Sequence, residues 1–265
     1  MLSISFGAAT DTGAVREVNE DCMTAARGIA AVADGMGGHA AGDVASHLAV
    51  ARLEHLQDAK TALNPDDLLA AIVDANGDIL DSVASDRARD GMGTTLCGVG
   101  VVCVGGVDHW IVFNVGDSRV YRLNDDVLTQ VTVDHSEVQE LVAAGLLSRE
   151  EARVDPRRNV VTRSLGTDPA PQADVWVFPP TPGERFLVCS DGLTLEIDDE
   201  QIAAVMRSEP DAQRAADALV AAAVSAGGRD NVTAVVVDVE LPVDHSAVET
   251  DTAPRSELQS RGDVS

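Results

Sequence analysis

Short apolar runs rich in β-branched residues occur towards both ends of the chain and predict β-strands. The turn-forming residues Asn124, Asp125 and Asp126 stand between a Y-R-L run that ends at Leu123 and an apolar run that begins at Val127. A short polar turn of this kind predicts a hairpin and therefore antiparallel pairing. The predicted strands cover residues 29–33, 96–104, 110–115, 127–133, 185–189 and 232–239.

Longer segments between these strands carry apolar residues at helical spacing. One of them opens with Asn64 and Pro65, an N-cap followed by proline at the first helical position. Ser136 and Gln139 form a capping-box pattern that opens another. The predicted helices cover residues 40–56, 64–84, 200–207 and 211–226. Antiparallel strands with long helices between them favour an α+β fold in which helices cover the faces of sheets.

Four aspartates stand beside glycine or a glycine turn at the ends of these apolar strands. Asp34, Asp117 and Asp191 each follow a strand, and Asp230 precedes the last one. A carboxylate at the end of a buried strand is costly unless it is paired. If the strand ends meet, their carboxylates repel one another, and oxygen ligands without a Cys or His cluster suit Mg²⁺ or Mn²⁺. An Asp-Gly pair alone is more often a simple turn, so the pattern by itself leaves both interpretations open.

The charge of the chain limits its partners. The 265 residues include 44 acidic and 19 basic side chains, which gives a net charge of −25, and 45% of them are hydrophobic. The apolar content is sufficient for a sizeable core, whereas the negative charge disfavours nucleic acid and anionic membranes as partners. A phosphate substrate would therefore have to be met by a metal ion or by a well-placed arginine.

The sequence predicts a cytoplasmic location. No segment approaches the ~18 uninterrupted apolar residues of a membrane helix, and the N-terminal residues lack the basic start and apolar core of a signal peptide. The cysteines form no C-x-x-C pair and have no visible activating neighbour, which disfavours a cysteine phosphatase. The polar tail at residues 243–265 is predicted to be disordered, which leaves one domain at residues 1–242.

A series of motifs extends the strand-end pattern along about residues 3–240. They are R-E-V-N-E-D (16–21), A-D-G-M-G-G-H (33–39), G-M-G-T-T (91–95), G-D-S-R (116–119), D-H-S (134–136), T-R-S-L-G (162–166), S-D-G (190–192) and G-R-D-N (228–231). In composition and order this series resembles the metal-dependent serine/threonine protein phosphatases of type 2C, the PPM family, in their bacterial branch.

The resemblance implies a four-layer α-β-β-α sandwich of two antiparallel sheets flanked by helices. It also implies a centre for two Mn²⁺ or Mg²⁺ ions in a cleft at one end. By analogy, Asp34 bridges the two ions and the backbone carbonyl of Gly35 holds one of them. Asp191 and Asp230 complete the other ion.

The resemblance further implies how the phosphate is held and attacked. Glu20 and Asp21 act mainly through metal-bound waters, and Arg16 matches the arginine that holds the phosphate, for which its planar fork is suited. A metal-bridging hydroxide attacks the phosphorus of phosphoserine or phosphothreonine in line, without a covalent phosphoenzyme. Arg16, Asp34 and Asp191 are therefore the predicted catalytic residues.

Two positions have alternative interpretations. His39 is a candidate general acid, but it lies five residues after Asp34, whereas the eukaryotic branch carries its acid two residues after that aspartate. A helix-start or hydrogen-bonding role is the alternative. Asp117 resembles a ligand of a third ion, although another acid of that site is replaced here by Leu195. The alternative for Asp117 is a turn residue paired with Arg119.

The implied partners are phosphorylated proteins, namely serine/threonine kinases and their substrates. Residues 134–166 resemble the flap beside the family's cleft, which is expected to be mobile and to bias substrate choice. Two other functions stay open from the sequence: an idle regulatory module on the same fold, and hydrolysis of a small phosphate ester. The presence of Asp34, Asp191 and Asp230 disfavours the idle module.

Overall fold

The structure is a computed structural model that describes residues 3–26, 28–37, 41–60, 62–167 and 171–240. Its strands are Ser3–Asp11 (β1), Asp21–Ala26 (β2), Ile29–Met36 (β3), Gly93–Thr94 (β4), Leu96–Val104 (β5), Val107–Val115 (β6), Arg119–Asn124 (β7), Val127–Gln130 (β8), Asp174–Phe178 (β9), Arg185–Cys189 (β10) and Val232–Glu240 (β11). They form two antiparallel sheets, with the orders β1-β11-β10-β7-β8 and β2-β3-β5-β6-β9, and β4 pairs with β3.

Helices cover the outer face of each sheet. The described helices are Gly42–Ala59 (α1), Pro65–Ser85 (α2), Glu137–Ala143 (α3), Arg149–Val154 (α4), Asp191–Thr194 (α5), Asp199–Ser208 (α6) and Ala212–Ala226 (α7). The helices α1 and α2 pack on the sheet that contains β3, and α7 packs on β1 and β11. The predicted α+β fold, a four-layer α-β-β-α sandwich, is therefore confirmed.

The middle of the sandwich explains why the central strands are continuously apolar. Along β3, Ala30 and Val32 face the core between the two sheets, whereas Ala31 and Ala33 face the core beneath the helices. A strand that is buried on both faces needs apolar residues at every position rather than at alternate ones. Trp110 is buried in this inter-sheet core.

The hairpin between β7 and β8 is confirmed, but its second strand is shorter than predicted. Asp125 and Asp126 form its two-residue turn with φ values of 49° and 62°, as a type I′ turn requires. The strand predicted over residues 127–133 ends at Gln130. It ends there because the hydroxyl of Thr132, rather than a backbone carbonyl, accepts the hydrogen bond from the Val120 N–H at 3.1 Å.

The predicted helix starts are confirmed where the structure describes them. The Asn64 side chain accepts a hydrogen bond from the Asp67 N–H at 3.0 Å, and α2 begins at Pro65. Ser136 caps α3 by accepting from the Gln139 N–H at 3.4 Å. The first predicted helix begins at residue 42, later than expected, and continues to residue 59.

Two further predictions concern regions beyond the fold's core. Among the described helices, none is both long enough and apolar enough to cross a membrane. The domain boundary at residue 242 and the tail at 243–265 lie outside the described residues, so both stay predictions.

Candidate active site

Five aspartates lie at one end of the sandwich, where several strands end. Asp21 and Asp34 are direct cross-strand neighbours on β2 and β3. Asp117 follows β6 by two residues, Asp191 begins α5 directly after β10, and Asp230 comes two residues before β11. The strand-end aspartates that the sequence pattern singled out are thus brought together.

Burial and mutual repulsion raise the pKa values of four of these carboxyl groups, those of Asp21, Asp34, Asp117 and Asp191. Burial raises the pKa of Asp34 well above its ordinary value, and the charges of Asp21, Asp191, Asp117 and Asp230 raise it further. The pKa values of Asp21, Asp117 and Asp191 are also raised, in each case mainly by burial. A hydrogen bond from Asp34 offsets part of the rise at Asp191. The cluster therefore resists carrying its full negative charge unless positive charge is supplied.

Glycine is required beside two of the aspartates because the backbone closely approaches other segments of the chain there. A Cβ atom on Gly192 would lie 1.9 Å from the carbonyl oxygen of Asn231. Gly116 has a φ of 113°, and a Cβ atom there would lie 2.5 Å from a side-chain carbon of Thr95. Any side chain at either position would push the adjacent aspartate out of place.

Only one of the two carboxylate oxygens of Asp21 accepts hydrogen bonds from the described residues. The hydroxyls of Ser190 and Thr233 donate hydrogen bonds of 2.8 Å and 2.7 Å to its Oδ2 atom. Its Oδ1 atom is buried and has no hydrogen-bond partner among the described residues. A buried carboxylate oxygen without a partner is a strong acceptor that favours a cation or a polarised donor.

The segment that carries Arg16 is fastened to the start of β11. The Asn231 side chain accepts from the Glu20 N–H at 2.9 Å and donates to the carbonyls of Thr12 and Val18. Arg16 lies over the cluster, with its Nη2 atom 2.7 Å from Oδ2 of Asp230. Half of the Arg16 side chain stays exposed, so the guanidinium faces both the acidic cluster and the solvent.

Glu20 and Gly35 lie at the junction between this segment and α1. The Glu20 side chain accepts a hydrogen bond from the Gly42 N–H at 3.2 Å, and its carbonyl accepts one from the Gly35 N–H at 3.2 Å. Burial raises the pKa of Glu20. Gly35 itself pairs with Thr94 of β4, so its backbone position is fixed on both sides.

Asp117 belongs to the acidic cluster and is not a turn residue paired with Arg119. It is 8% exposed, and after burial the charge of Asp191 is the largest cause of its raised pKa. The alternative pairing with Arg119 is wrong, because the Arg119 guanidinium donates to Asp134 and Tyr121 instead. Arg119 lowers the pKa of Asp117 only through its charge.

The residues near Leu195 do not extend the cluster. Leu195 follows the end of α5. The neighbouring acid Glu196 is buried against Arg229, which donates to it from its backbone N–H and from its guanidinium at 2.8–3.1 Å. Glu196 is therefore occupied and does not replace the missing acid at position 195.

The donor set fits divalent cations that prefer oxygen. All members are carboxylates, with the orphaned Oδ1 of Asp21 among them, and this chemistry suits Mg²⁺ or Mn²⁺ rather than softer metals. Within the part of the chain that the structure describes, no three His, Cys, Asp or Glu side chains already surround a common centre.

Two other predictions concern His39 and the cysteines. His39 is outside the described residues, so its role as a general acid stays a prediction. Cys97 and Cys189 are buried, and burial raises the pKa of both thiols. Neither thiol is therefore an accessible thiolate nucleophile at neutral pH.

The sequence analysis assigned no role to the polar residues that hold the aspartates, although Thr95 and Asn231 lie within its motifs. Thr95 accepts a hydrogen bond from the Asp34 N–H at 2.9 Å, and Thr233 and Asn231 act as described above. The signal for Asn231 and Thr233 was their position directly after Asp230 in the run D-N-V-T. Polar residues at the start of an otherwise apolar strand indicate a local hydrogen-bonding requirement.

Comparison with known proteins defines the class. Over 242 residues the chain is 37% identical to the serine/threonine phosphatase stp of Listeria innocua, covering 88% of this chain and 94% of that protein. It is 39% identical to the serine/threonine protein phosphatase PstP of Mycobacterium tuberculosis, covering 90% of this chain and 45% of that protein. A solved structure of the PstP catalytic domain in complex with two manganese ions matches with a TM-score of 0.81 and 38% identity, covering 91% of this chain and 100% of that one.

These relatives are serine/threonine phosphatases of bacteria. The family of this chain is shown by a match to a family model. Residues 18–226 match the protein phosphatase 2C family. The chain belongs to the protein phosphatase 2C family, and the resemblance inferred from the motifs is confirmed. The prediction of an enzyme of the protein serine/threonine phosphatase class is confirmed with it.

Proposed function

We propose that this enzyme uses two Mn²⁺ or Mg²⁺ ions, bound by the acidic cluster, to hydrolyse phosphoserine and phosphothreonine in proteins. The observation that carries the proposal is the crowding of Asp34 by four other aspartates next to a half-exposed arginine. Without cations, the repulsion within such a cluster destabilises the folded state. Bound cations relieve this repulsion, so the cluster should bind them strongly. The PstP structure with two manganese ions supports the same number here.

The cluster residues divide the proposed task. Asp34 would contact both ions, Asp191 and Asp230 one of them, and the carbonyl of Gly35 the other. The chemistry that such ions supply when bound is activation of water near neutral pH and neutralisation of negative charge. Asp34 and Asp191 would contribute by holding the ions in place with their ionised carboxylates.

Glu20, Asp21 and Asp117 would act around these ligands. Glu20 and Asp21 would hold the ions through water, and the unpartnered Oδ1 of Asp21 is the atom best suited to accept from such a water. Asp117, beside Asp191, is the candidate ligand of a third ion, for which Leu195 supplies no carboxylate.

Arg16 would bind the phosphate group. In a chain with a net charge of −25, a dianion needs a local positive group. The planar guanidinium can donate two parallel hydrogen bonds to phosphate oxygens. Its present contact with Asp230 places it at the edge of the cluster, within reach of a phosphate bound there.

The proposed substrates are phosphorylated proteins, including serine/threonine kinases and the proteins that they modify. The test is hydrolysis of a phosphothreonine peptide with Mn²⁺, with excess chelator, and after Mn²⁺ is restored, with a phosphotyrosine peptide as the comparison. We expect turnover of the phosphothreonine peptide that is lost with chelator and regained with Mn²⁺. Turnover that persists in chelator would contradict the proposal. Absence of turnover while Mn²⁺ still binds would favour the idle regulatory module.

Replacing Arg16 by alanine is expected to weaken phosphate binding more than the chemical step. A hydrogen bond to a charged group contributes about 1.5–3 kcal/mol, so kcat/KM should fall about 10- to 100-fold, mainly through KM. The matched control is Arg52→Ala, which removes an arginine ion-paired to Asp78 on the helical layer and should leave KM unchanged. An unaltered KM in Arg16→Ala would exclude Arg16 from phosphate binding.

A further inference from the structure

A closed circuit of hydrogen bonds surrounds Asp21. The Asp21 N–H donates to Oδ1 of Asn19 at 3.1 Å, and Nδ2 of Asn19 donates to the Thr10 hydroxyl at 2.8 Å. The hydroxyls of Thr10 and Thr233 are 2.7 Å apart, and Thr233 donates to Oδ2 of Asp21 at 2.7 Å. The circuit thus begins and ends on the same aspartate.

The chemistry of its two ends fixes the direction of every bond in the circuit. The Asp21 N–H can only donate, so the Asn19 amide must turn its oxygen towards it and its nitrogen towards Thr10. The ionised carboxylate of Asp21 can only accept hydrogen bonds, so the Thr233 hydroxyl must donate its single hydrogen to Asp21. Thr10 must therefore donate to Thr233, and no member can reorient without breaking a bond.

Ser190 completes the arrangement on the same carboxylate oxygen. Its hydroxyl accepts a hydrogen bond from the Thr233 N–H at 3.0 Å, which leaves its hydrogen for Oδ2 of Asp21. Oδ2 thus receives two oriented donors, whereas the buried Oδ1 has no partner among the described residues. Thr233 and Ser190 come from β11 and the end of β10, and Asp21 comes from the other sheet.

We propose that Thr233 and Ser190 are positioning residues of the cation site, which saturate Oδ2 of Asp21 and so keep Oδ1 as its one available acceptor. The inference rests on the proposed function, since Oδ1 is the atom assigned to a water of the bound ions. Both hydroxyls donate to the carboxylate of Asp21, so neither is assigned a contact with the substrate or an ion. They act through the orientation of Asp21, with Thr10 and Asn19 orienting Thr233 in turn.

The alternative is that the hydroxyls of Thr233 and Ser190 only hold the two sheets together. The Mn²⁺ affinity of variants distinguishes this structural role from the positioning role. Thr233→Val keeps the shape of the side chain but removes the donor to Oδ2, which frees the carboxylate to rotate. Loss of such an outer partner costs about 10- to 100-fold in metal affinity. Thr233→Ser retains the hydroxyl and should restore the affinity.

The experiment is calorimetric titration of Mn²⁺ into the full chain and its variants. The matched control is Thr132→Val, which removes another buried hydroxyl that accepts from a backbone N–H in the same sheet. We expect an affinity at least about 10-fold weaker in Thr233→Val, near wild type in Thr233→Ser, and unchanged in Thr132→Val. Equal affinity in Thr233→Val and wild type would overturn the inference, as would an equal loss in Thr132→Val.

Failure of this inference can be told from failure of the proposed function. If the wild-type chain binds no Mn²⁺, the proposed function fails, and the inference that rests on it falls too. If the wild type binds Mn²⁺ and Thr233→Val binds it equally well, only the positioning role is lost. Should Thr233→Val not fold, Ser190→Ala decides, because it removes the second donor to Oδ2. About 10-fold weaker binding in Ser190→Ala supports the role, and unchanged binding overturns it.

Discussion

Replacing Asp34 by asparagine is expected to abolish turnover while making the metal-free protein more stable. Asp34 is crowded by Asp21, Asp117, Asp191 and Asp230, and the pKa of its carboxyl group is well above the ordinary value. A neutral amide removes that repulsion, but it also removes the proposed bridging ligand. If bound cations supply about 4 kcal/mol of transition-state stabilisation, turnover falls about 1,000-fold.

The opposite signs of the two effects make this prediction specific. Most substitutions of polar residues in a cleft lower stability, and a purely structural Asp34 would do the same. Thermal unfolding in excess chelator should instead show a higher Tm for Asp34→Asn, by about 2–4 °C for each kcal/mol of repulsion relieved. The control is Asp78→Asn, which disrupts a surface ion pair with Arg52 and should leave turnover unchanged. A lower Tm in chelator, or retained turnover, would contradict this account of Asp34.

The metal-free protein is expected to lose stability as the pH rises from 7 to 9, and saturating Mn²⁺ should remove the part of this loss that comes from the acidic cluster. The pKa of Asp21 is raised to about 7 and that of Asp117 to about 8, mainly by burial, whereas both titrate near pH 3.9 when unfolded. Within this range the folded state binds more protons than the unfolded state. Raising the pH therefore destabilises the folded state until both groups have ionised.

Other titrating groups act at either end of this pH range. The pKa values of the buried Cys97 and Cys189 thiols are raised, so above about pH 8.5 these thiols destabilise the folded state further, in chelator and in Mn²⁺ alike. Burial lowers the pKa of His135, so His135 destabilises the folded state as the pH falls below about 6.5. Above pH 7 this opposing contribution is absent. Cations favour the ionised carboxylates, so Mn²⁺ at about 100 times its Kd should add ~2.7 kcal/mol to the free energy of unfolding at pH 8.

The measurement is Tm at pH 7, 8 and 9 in chelator and in Mn²⁺. We expect Tm to fall with pH in chelator and to be higher in Mn²⁺, with the largest difference at the highest pH. Asp117→Asn should flatten the slope in chelator above pH 7, because it removes the group with the higher of the two pKa values. A Tm in chelator that does not fall with pH would show that these carboxylates do not carry the predicted repulsion.

The sequence was sufficient to predict the layers of the fold and the aspartates of the site. Apolar runs such as residues 29–33 indicated buried strands, and their ends carried the acids that meet in the structure. The end of a strand can be predicted from the sequence because a carboxylate next to glycine interrupts the apolar pattern. The family motifs added Arg16 and Glu20, which lie on an irregular segment without any periodic signal.

The supporting contacts could not be predicted because they join residues that are far apart in the chain. Thr233 and Asp21 are separated by 212 positions and Arg229 and Glu196 by 33, and nothing in the local sequence pairs them. The strand β1 was also missed, since its glycine and alanines give a weak apolar signal. Gly7 is nevertheless needed there, because a Cβ atom would lie 2.1 Å from the backbone of Ala212.

The most direct test of the central claim is the number of Mn²⁺ ions bound by the wild-type chain and by Asp34→Asn, measured by equilibrium dialysis at pH 8. We expect at least two ions per wild-type chain, in line with the two manganese ions in the PstP structure. It predicts that binding in Asp34→Asn is weakened at both proposed sites. Wild-type protein that binds no Mn²⁺, or an Asp34→Asn variant that binds as many ions with equal affinity, would contradict the claim that this cluster is the cation site of the enzyme.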